Sequence, residues 1–139
     1  MKKRKQENPI EEVGDYMNAP VVTVDATQNI QAAAKFMHDQ HVGSLIVQQA
    51  GKPIGIVTET DFARKVIAKG LKPDTAKVED IMTSPVHSID CHEAVLDANK
   101  FMAKNKIRHV VVTDKGEVVG VLSVRDLVHY FSNPRMRTF

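Results

Sequence analysis

The feature that most constrains this chain is that it is written twice. Sliding the 139 residues past themselves by 65 positions lays Val13–Arg64 on Val78–His129 without a gap, and 14 of the 52 pairs are identical, against roughly three by chance. "MNAPVVTVD" answers "MTSPVHSID", "AAKFM" answers "ANKFM", and Gly51 coincides with Gly116. A single copy is too short to cover an apolar sheet face of its own. The two copies must therefore bury those faces against each other.

Each copy has the same order of elements. Behind Pro20, Val21 to Val24 alternates as a short strand. Asp25-x-x-Gln28 and Asp90-x-x-Glu93 have the form of capping boxes with Asp in place of Ser or Thr. Ile30, Ala33, Ala34 and Met37 then recur at helical spacing, as do Val95, Ala98 and Met102. Two apolar runs follow, Leu45 to Gln48 and Pro53 to Val57 around "QAGK", then Val110 to Thr113 and Val118 to Leu122 around "DKGE". A glycine just past the turn centre suits a hairpin. A second helix, Thr60 to about Ala68 or Arg125 to about Phe131, closes each unit. The expectation is an α/β (α+β) chain of two β-α-β-β-α units packed through their sheets as a pseudo-twofold pair. Residues 13–70 and 78–132 form the repeats, 71–77 a linker, 1–12 a basic N-terminal tail and 133–139 a C-terminal tail.

The most marked echo is "GIVTETD", Gly55 to Asp61, against "GVLSVRD", Gly120 to Asp126. A hydroxyl residue followed three later by Asp is a helix N-cap, worth about 1 kcal/mol, and the glycines suit a bulge or a tight contact. The same groups also suit a nucleoside phosphate. A helix N-terminus and a hydroxyl attract phosphate, a carboxylate accepts a ribose diol, and a glycine lets a ligand approach the backbone. The residues alone leave both readings open.

Composition narrows the remaining classes. Charged residues are 26% of the chain and nearly cancel to +2, so the body carries no footprint for nucleic acid or an anionic surface. The basic excess is partly local, in Lys2 to Lys5 and in Arg135 and Arg137. No apolar run reaches the length of a membrane span and there is no signal-peptide core. With the single Cys91, these features lead to the expectation of a cytoplasmic protein. His38 and His41 stand at i, i+3, with His87, His92 and His109 elsewhere, but no metal-ligand spacing accompanies them and no metal site is assigned. No nucleophile-base pair or phosphate loop marks an enzyme.

"DIMTSPV", "HVGSLIVQQAGKPIGIVTETD" and "NKIRHVVVTDKGEVVGVLSVRDL", taken together, resemble a tandem pair of CBS domains, or Bateman module, over residues 13 to about 131. The resemblance implies a stand-alone regulatory module that binds an adenine nucleotide (AMP, ADP or ATP) between repeats, with room for magnesium beside the phosphates. It also implies a homodimer built as a disc of four repeats and a signal passed to an effector protein or to that dimer. S-adenosylmethionine, or no ligand at all in a structural interaction module, are the rival readings. Carried over residue by residue, the main site is Gly55, Thr58 and Asp61 facing Pro85, Val86, His87, Ile107 and Arg108. The second site is Gly120, Ser123 and Asp126 facing Pro20, Val21, Val22, Val42 and Gly43. Arg125, Arg64, Lys65 and His109 are further candidates for phosphate. The ranking rests on Arg108, whose counterpart is Gly43. Against it, Thr60 stands where relatives carry the arginine that Arg125 retains.

Overall fold

A computed structural model describes residues 10–132; the basic runs of both tails lie outside the described residues. Each repeat forms a three-stranded sheet. In the first, β1 (Thr23–Asp25) runs parallel to β2 (Ser44–Gln49), which pairs antiparallel with β3 (Lys52–Thr58). In the second, β4 (Ser88–Asp90), β5 (His109–Asp114) and β6 (Glu117–Ser123) repeat that order. The copies agree in detail, with a register shift after Val47 in one and after Val112 in the other. At both hairpins the residue before the glycine also takes a positive φ, Ala50 and Gly51 in one, Lys115 and Gly116 in the other. Two consecutive positive φ values match the right-handed strand twist.

Side-chain alternation along the strands builds three cores from two sheets. Leu45, Val47 and Val57 face the first repeat's helix α1 (Ile30–Asp39), against Ile30, Ala33 and Met37. Val110, Val112 and Leu122 meet Val95, Ala98 and Met102 of α3 (Val95–Asn105) in the same way. The intervening residues Ile46, Ile56, Val111 and Val121 point the other way and form one cluster shared by both repeats. This is the sheet-to-sheet contact that the duplication requires.

The repeats also exchange their leading segments. The 3₁₀ turn Val13–Asp15 docks on the second repeat through Val13 N–H to Glu93 (2.8 Å) and Gly14 N–H to Cys91 (2.8 Å), and Val13 is fully buried in that repeat's core. The turn Val78–Asp80 docks on the first through Val78 N–H to Gln28 (2.9 Å) and Glu79 N–H to Ala26 (3.0 Å), carrying Val78 and Ile81 into its core. Asn18 then pairs with Val121 and Thr83 with Ile56, each a backbone bridge onto the other repeat. The division between repeats along the sequence is therefore not the division between their cores.

Three expectations need correction. The first strand starts at Thr23 rather than Val21. Asp25 and Asp90 do not cap helices: Asp25 accepts from Thr27 N–H (2.9 Å) and its hydroxyl (2.7 Å), and Asp90 accepts from His92 N–H (2.9 Å). Short side chains that bond two residues ahead close a turn instead, so α1 starts at Ile30 behind its cap Asn29, and α3 at Val95 behind Ala94. The second helices also differ between copies. α4 (Val124–Phe131) is one α-helix, whereas α2 (Glu59–Asp61) passes into a π-helical stretch, Phe62–Ile67.

Candidate functional site

The β6-to-α4 turn is built as the sequence implies. Ser123 N–H (2.7 Å) and hydroxyl (2.9 Å) both donate to Oδ2 of Asp126, whose own N–H returns to the Ser123 hydroxyl (3.3 Å). A third donor reaches that oxygen from the other repeat, the Asn18 side-chain amide at 2.9 Å. Oδ2 is thus fully used, while Oδ1 has no hydrogen-bond partner among the described residues. In the first turn of α4, Val124 N–H is taken by the Arg108 carbonyl (2.9 Å), which leaves the Arg125 N–H without a partner among the described residues, at the positive end of the helix.

This turn borders a cleft of about 1290 Å³. Pro20, Val21, Val22, Val42 and Gly43 of the first repeat form one wall; Arg108, His109, Val121, Ser123, Arg125 and Asp126 of the second form the other. Every residue expected at the second site except Gly120 lines it. His38, His41, Glu59, Thr60 and His129 also lie on its walls. His109 reaches across to the first repeat, its Nε2 3.3 Å from where a Cβ on Gly43 would stand. Burial lowers its pKa first and the Arg108 charge adds to this, while the carboxylates of Glu59, Asp126 and Asp61 oppose it.

The equivalent turn in the first repeat is closed. Asp61 is 7% exposed; its Oδ2 accepts from Thr58 N–H (2.8 Å) and hydroxyl (3.4 Å), and its Oδ1 pairs with Lys65 at 2.9 Å. Lys65 also donates to the Ile81 carbonyl at 2.9 Å. Both oxygens are occupied from within the chain. Of the residues expected around Asp61, Arg108 lines the Asp126 cleft, Val86 packs in the shared sheet cluster, and Ile107 packs on the second repeat's core. Pro85 follows a cis peptide bond and is exposed; the His87 ring lies edge-on to Phe101, 5.9 Å between centroids, and Arg64 is exposed.

Gly55 and Gly120 answer to packing. A Cβ on Gly120 would stand 2.9 Å from the Asn18 carbonyl and 2.5 Å from the Met17 sulfur; on Gly55 the distances are 2.9 Å to the Thr83 carbonyl and 2.7 Å to the Met82 sulfur. The crossing segments of the partner repeat require bare backbone there.

Sequence reasoning missed Asn18, whose amide joins the site across 108 residues of chain. Its signal was faint, a position that reads Asn in one copy and Thr in the other. The sequence did hold a sign of the Asp61–Lys65 pair, which stand at the i, i+4 spacing of helical ion pairs.

One other group of donors is found among the described residues: Asp90, Cys91 and His92 place one donor atom each within 4.8 Å of one another. Burial raises the Cys91 pKa first, with Asp114 and Asp90 adding to it. His92 is tied to Glu12 at 2.9 Å, and that hydrogen bond raises its pKa. The pair therefore helps hold the N-terminal segment most fully below the ordinary histidine pKa and releases as pH rises through the raised value.

Two packed sheets, exchanged leading segments and a cleft lined by both repeats define a tandem-repeat module of two interlocked halves. A model of the CBS domain matches residues 13–68 and 78–133, and the chain belongs to that family. It is 33% identical over 118 residues to an uncharacterized protein of Methanopyrus kandleri, covering 84% of this chain and 60% of that one. It is also 33% identical over 122 residues to the CBS domain-containing protein YhcV of Bacillus subtilis, covering 87% and 86%. Among solved structures, an uncharacterized conserved protein from Pyrococcus horikoshii superposes with a TM-score of 0.85 at 27% identity, over 91% of this chain and 96% of that one. No helix among the described residues is long and apolar enough to cross a membrane.

Proposed function

We propose that this chain is a cytoplasmic regulatory CBS pair that binds an adenine nucleotide in the Ser123/Asp126 cleft and passes the ligand state to an effector protein or to a second copy of itself. The observation that carries the reading is the open Oδ1 of Asp126, held in place by three donors on Oδ2 at the mouth of a cleft lined by both repeats. A carboxylate fixed in this way accepts a ribose diol. The Arg125 N–H and the α4 N-terminus meet a phosphate, Arg108 offers a guanidinium fork, and Val21, Val22 and Val121 give the base an apolar wall. Magnesium would be held chiefly by phosphate and water.

A ligand shifts an equilibrium only by binding one arrangement more tightly than another. Because the cleft walls come from different repeats, any change in the angle between repeats alters the nucleotide's contacts. The output face is α4, which bears Ser123 at its cap and exposes Val124, Val128 and Phe131 at 42%, 61% and 47%. An apolar stripe of this kind suits the face of a homodimer of four repeats.

Thermal unfolding tests the reading. With AMP, ADP, ATP or S-adenosylmethionine added in turn, at least one adenine nucleotide raises the midpoint progressively with concentration, because it binds only the folded state. No shift with any of the four leaves the chain a structural interaction module.

A further inference from the structure

The cleft has a second property that a ribose and one phosphate do not use. Four of the chain's six histidines line it: His38, His41, His109 and His129. The fixed charges on its walls cancel, two from Arg108 and Arg125 against two from Glu59 and Asp126. With imidazoles neutral the cleft offers a polyanion no net attraction, and each protonated imidazole adds one positive charge.

The histidines are not gathered for a metal ion. Asp90, Cys91 and His92 are the one group of three donors close enough for that among the described residues, and none of them lines the cleft. The four imidazoles stand apart, on the last turn of α1 and just beyond it, at the start of β5 and on the last turn of α4. Dispersed cationic donors around an open trough fit an extended anion better than a point charge.

Resting on the reading above, we infer that the cleft is a polyphosphate site: the tail of a nucleoside di- or triphosphate lies across these histidines, and its binding takes up protons. The groups facing them fix the sign. His109 meets Glu59 and Asp61 from α2, Asp126 from α4 and the neighbouring Arg108, and its burial favours the neutral ring in the empty cleft. His38 and His41 lie in the field of Asp39, whose carboxylate is already paired with Lys35 at 2.7 Å. His129 shares α4 with Arg125 and Asp126. A tail of three or four negative charges acts in the same sense as these carboxylates, against burial and the Arg108 charge, and stabilises the imidazolium form. Binding therefore tightens as pH falls toward 6 and weakens above 7.5.

Calorimetry on the full chain tests this. AMP, ATP and inorganic tripolyphosphate are titrated at pH 6.0 and 8.0, and at pH 6.5 in two buffers of different ionisation enthalpy. If binding takes up about two protons at the low end of this range, ATP affinity falls roughly tenfold or more from pH 6.0 to 8.0 while AMP changes by less than about threefold. The ATP enthalpy then differs between buffers, reporting proton uptake. Tripolyphosphate competes with ATP at pH 6.0; an affinity equal to that of ATP makes the phosphate tail itself the recognised ligand.

His38, His41 and His129 are exposed, so the triple exchange His38→Gln, His41→Gln and His129→Gln keeps the fold, checked by an unchanged Tm. It lowers ATP affinity at pH 6.0 toward the pH 8.0 value and leaves AMP binding in place. ATP and AMP binding with the same small pH dependence and no proton uptake overturns the polyphosphate site while leaving the nucleotide reading intact. Absence of binding by any nucleotide at either pH removes both.

Discussion

Asp126→Ala abolishes measurable nucleotide binding, whereas Asp61→Ala keeps it and loses stability instead. Calorimetry and thermal unfolding on the two variants separate these effects. Hydrogen bonds to a charged group contribute about 1.5–3 kcal/mol each, so the loss of both diol contacts costs at least about a hundredfold in affinity. Either variant loses the aspartate half of the capping box around Ser123 or Thr58, at about 1 kcal/mol. Asp61→Ala also leaves Lys65 without its carboxylate. That ammonium is 36% exposed, and water screens the loss, so the total stays near 1–3 kcal/mol. Equal losses of binding in the two variants would show that the copies are functionally equivalent, contrary to the closed geometry around Asp61.

The second large effect concerns a glycine packed against the other repeat. Gly120→Ala places a methyl 2.9 Å from the Asn18 carbonyl and 2.5 Å from the Met17 sulfur. Methionine can swing aside, but the carbonyl belongs to the backbone bridge between Asn18 and Val121. Forcing that crossing apart costs about 1–3 kcal/mol by overpacking, which is several degrees of Tm. It also withdraws Asn18 from Asp126 and weakens nucleotide binding together with the fold. Gly55→Ala, which meets the Thr83 carbonyl at 2.9 Å, loses similar stability and leaves the ligand cleft unaffected. As a control, Val128→Ala on the exposed face of α4 changes stability by under about 0.5 kcal/mol.

The fold was legible because its periodicities are local. Strand alternation, hairpin glycines and the 65-residue offset are each visible within a short window, and they survive into matching strands, matching turns and the shared cluster of Ile46, Ile56, Val111 and Val121. Helix starts were less legible. An Asp two residues before a Thr closes a turn as readily as it caps a helix, and the Asp25–Thr27 contacts decided between the two.

The two sites were harder to rank, because the deciding contacts are long-range or lie between alternatives of similar energy. The internal alignment makes Gly43 the counterpart of Arg108, and the family resemblance assigns Arg108 to Asp61; in the folded chain Arg108 lines the cleft of Asp126. Lys65 could have met a phosphate or a carboxylate four residues away, and it pairs with the carboxylate. Asn18 left only a faint signal and the exchanged leading segments none, since nothing in a short window tells a segment which repeat it will cover. The histidine-lined wall has the same origin: four residues from three elements and the turn after α1 become neighbours of one cleft only in the folded pair.

The most direct test of the central claim is a crystal structure of the full chain grown with ATP. The expected result is a nucleotide between the repeats, its ribose hydroxyls on the Asp126 carboxylate and its first phosphate at the Arg125 N–H. A nucleotide held instead by Thr58 and Asp61, with the Asp126 cleft empty, would contradict it.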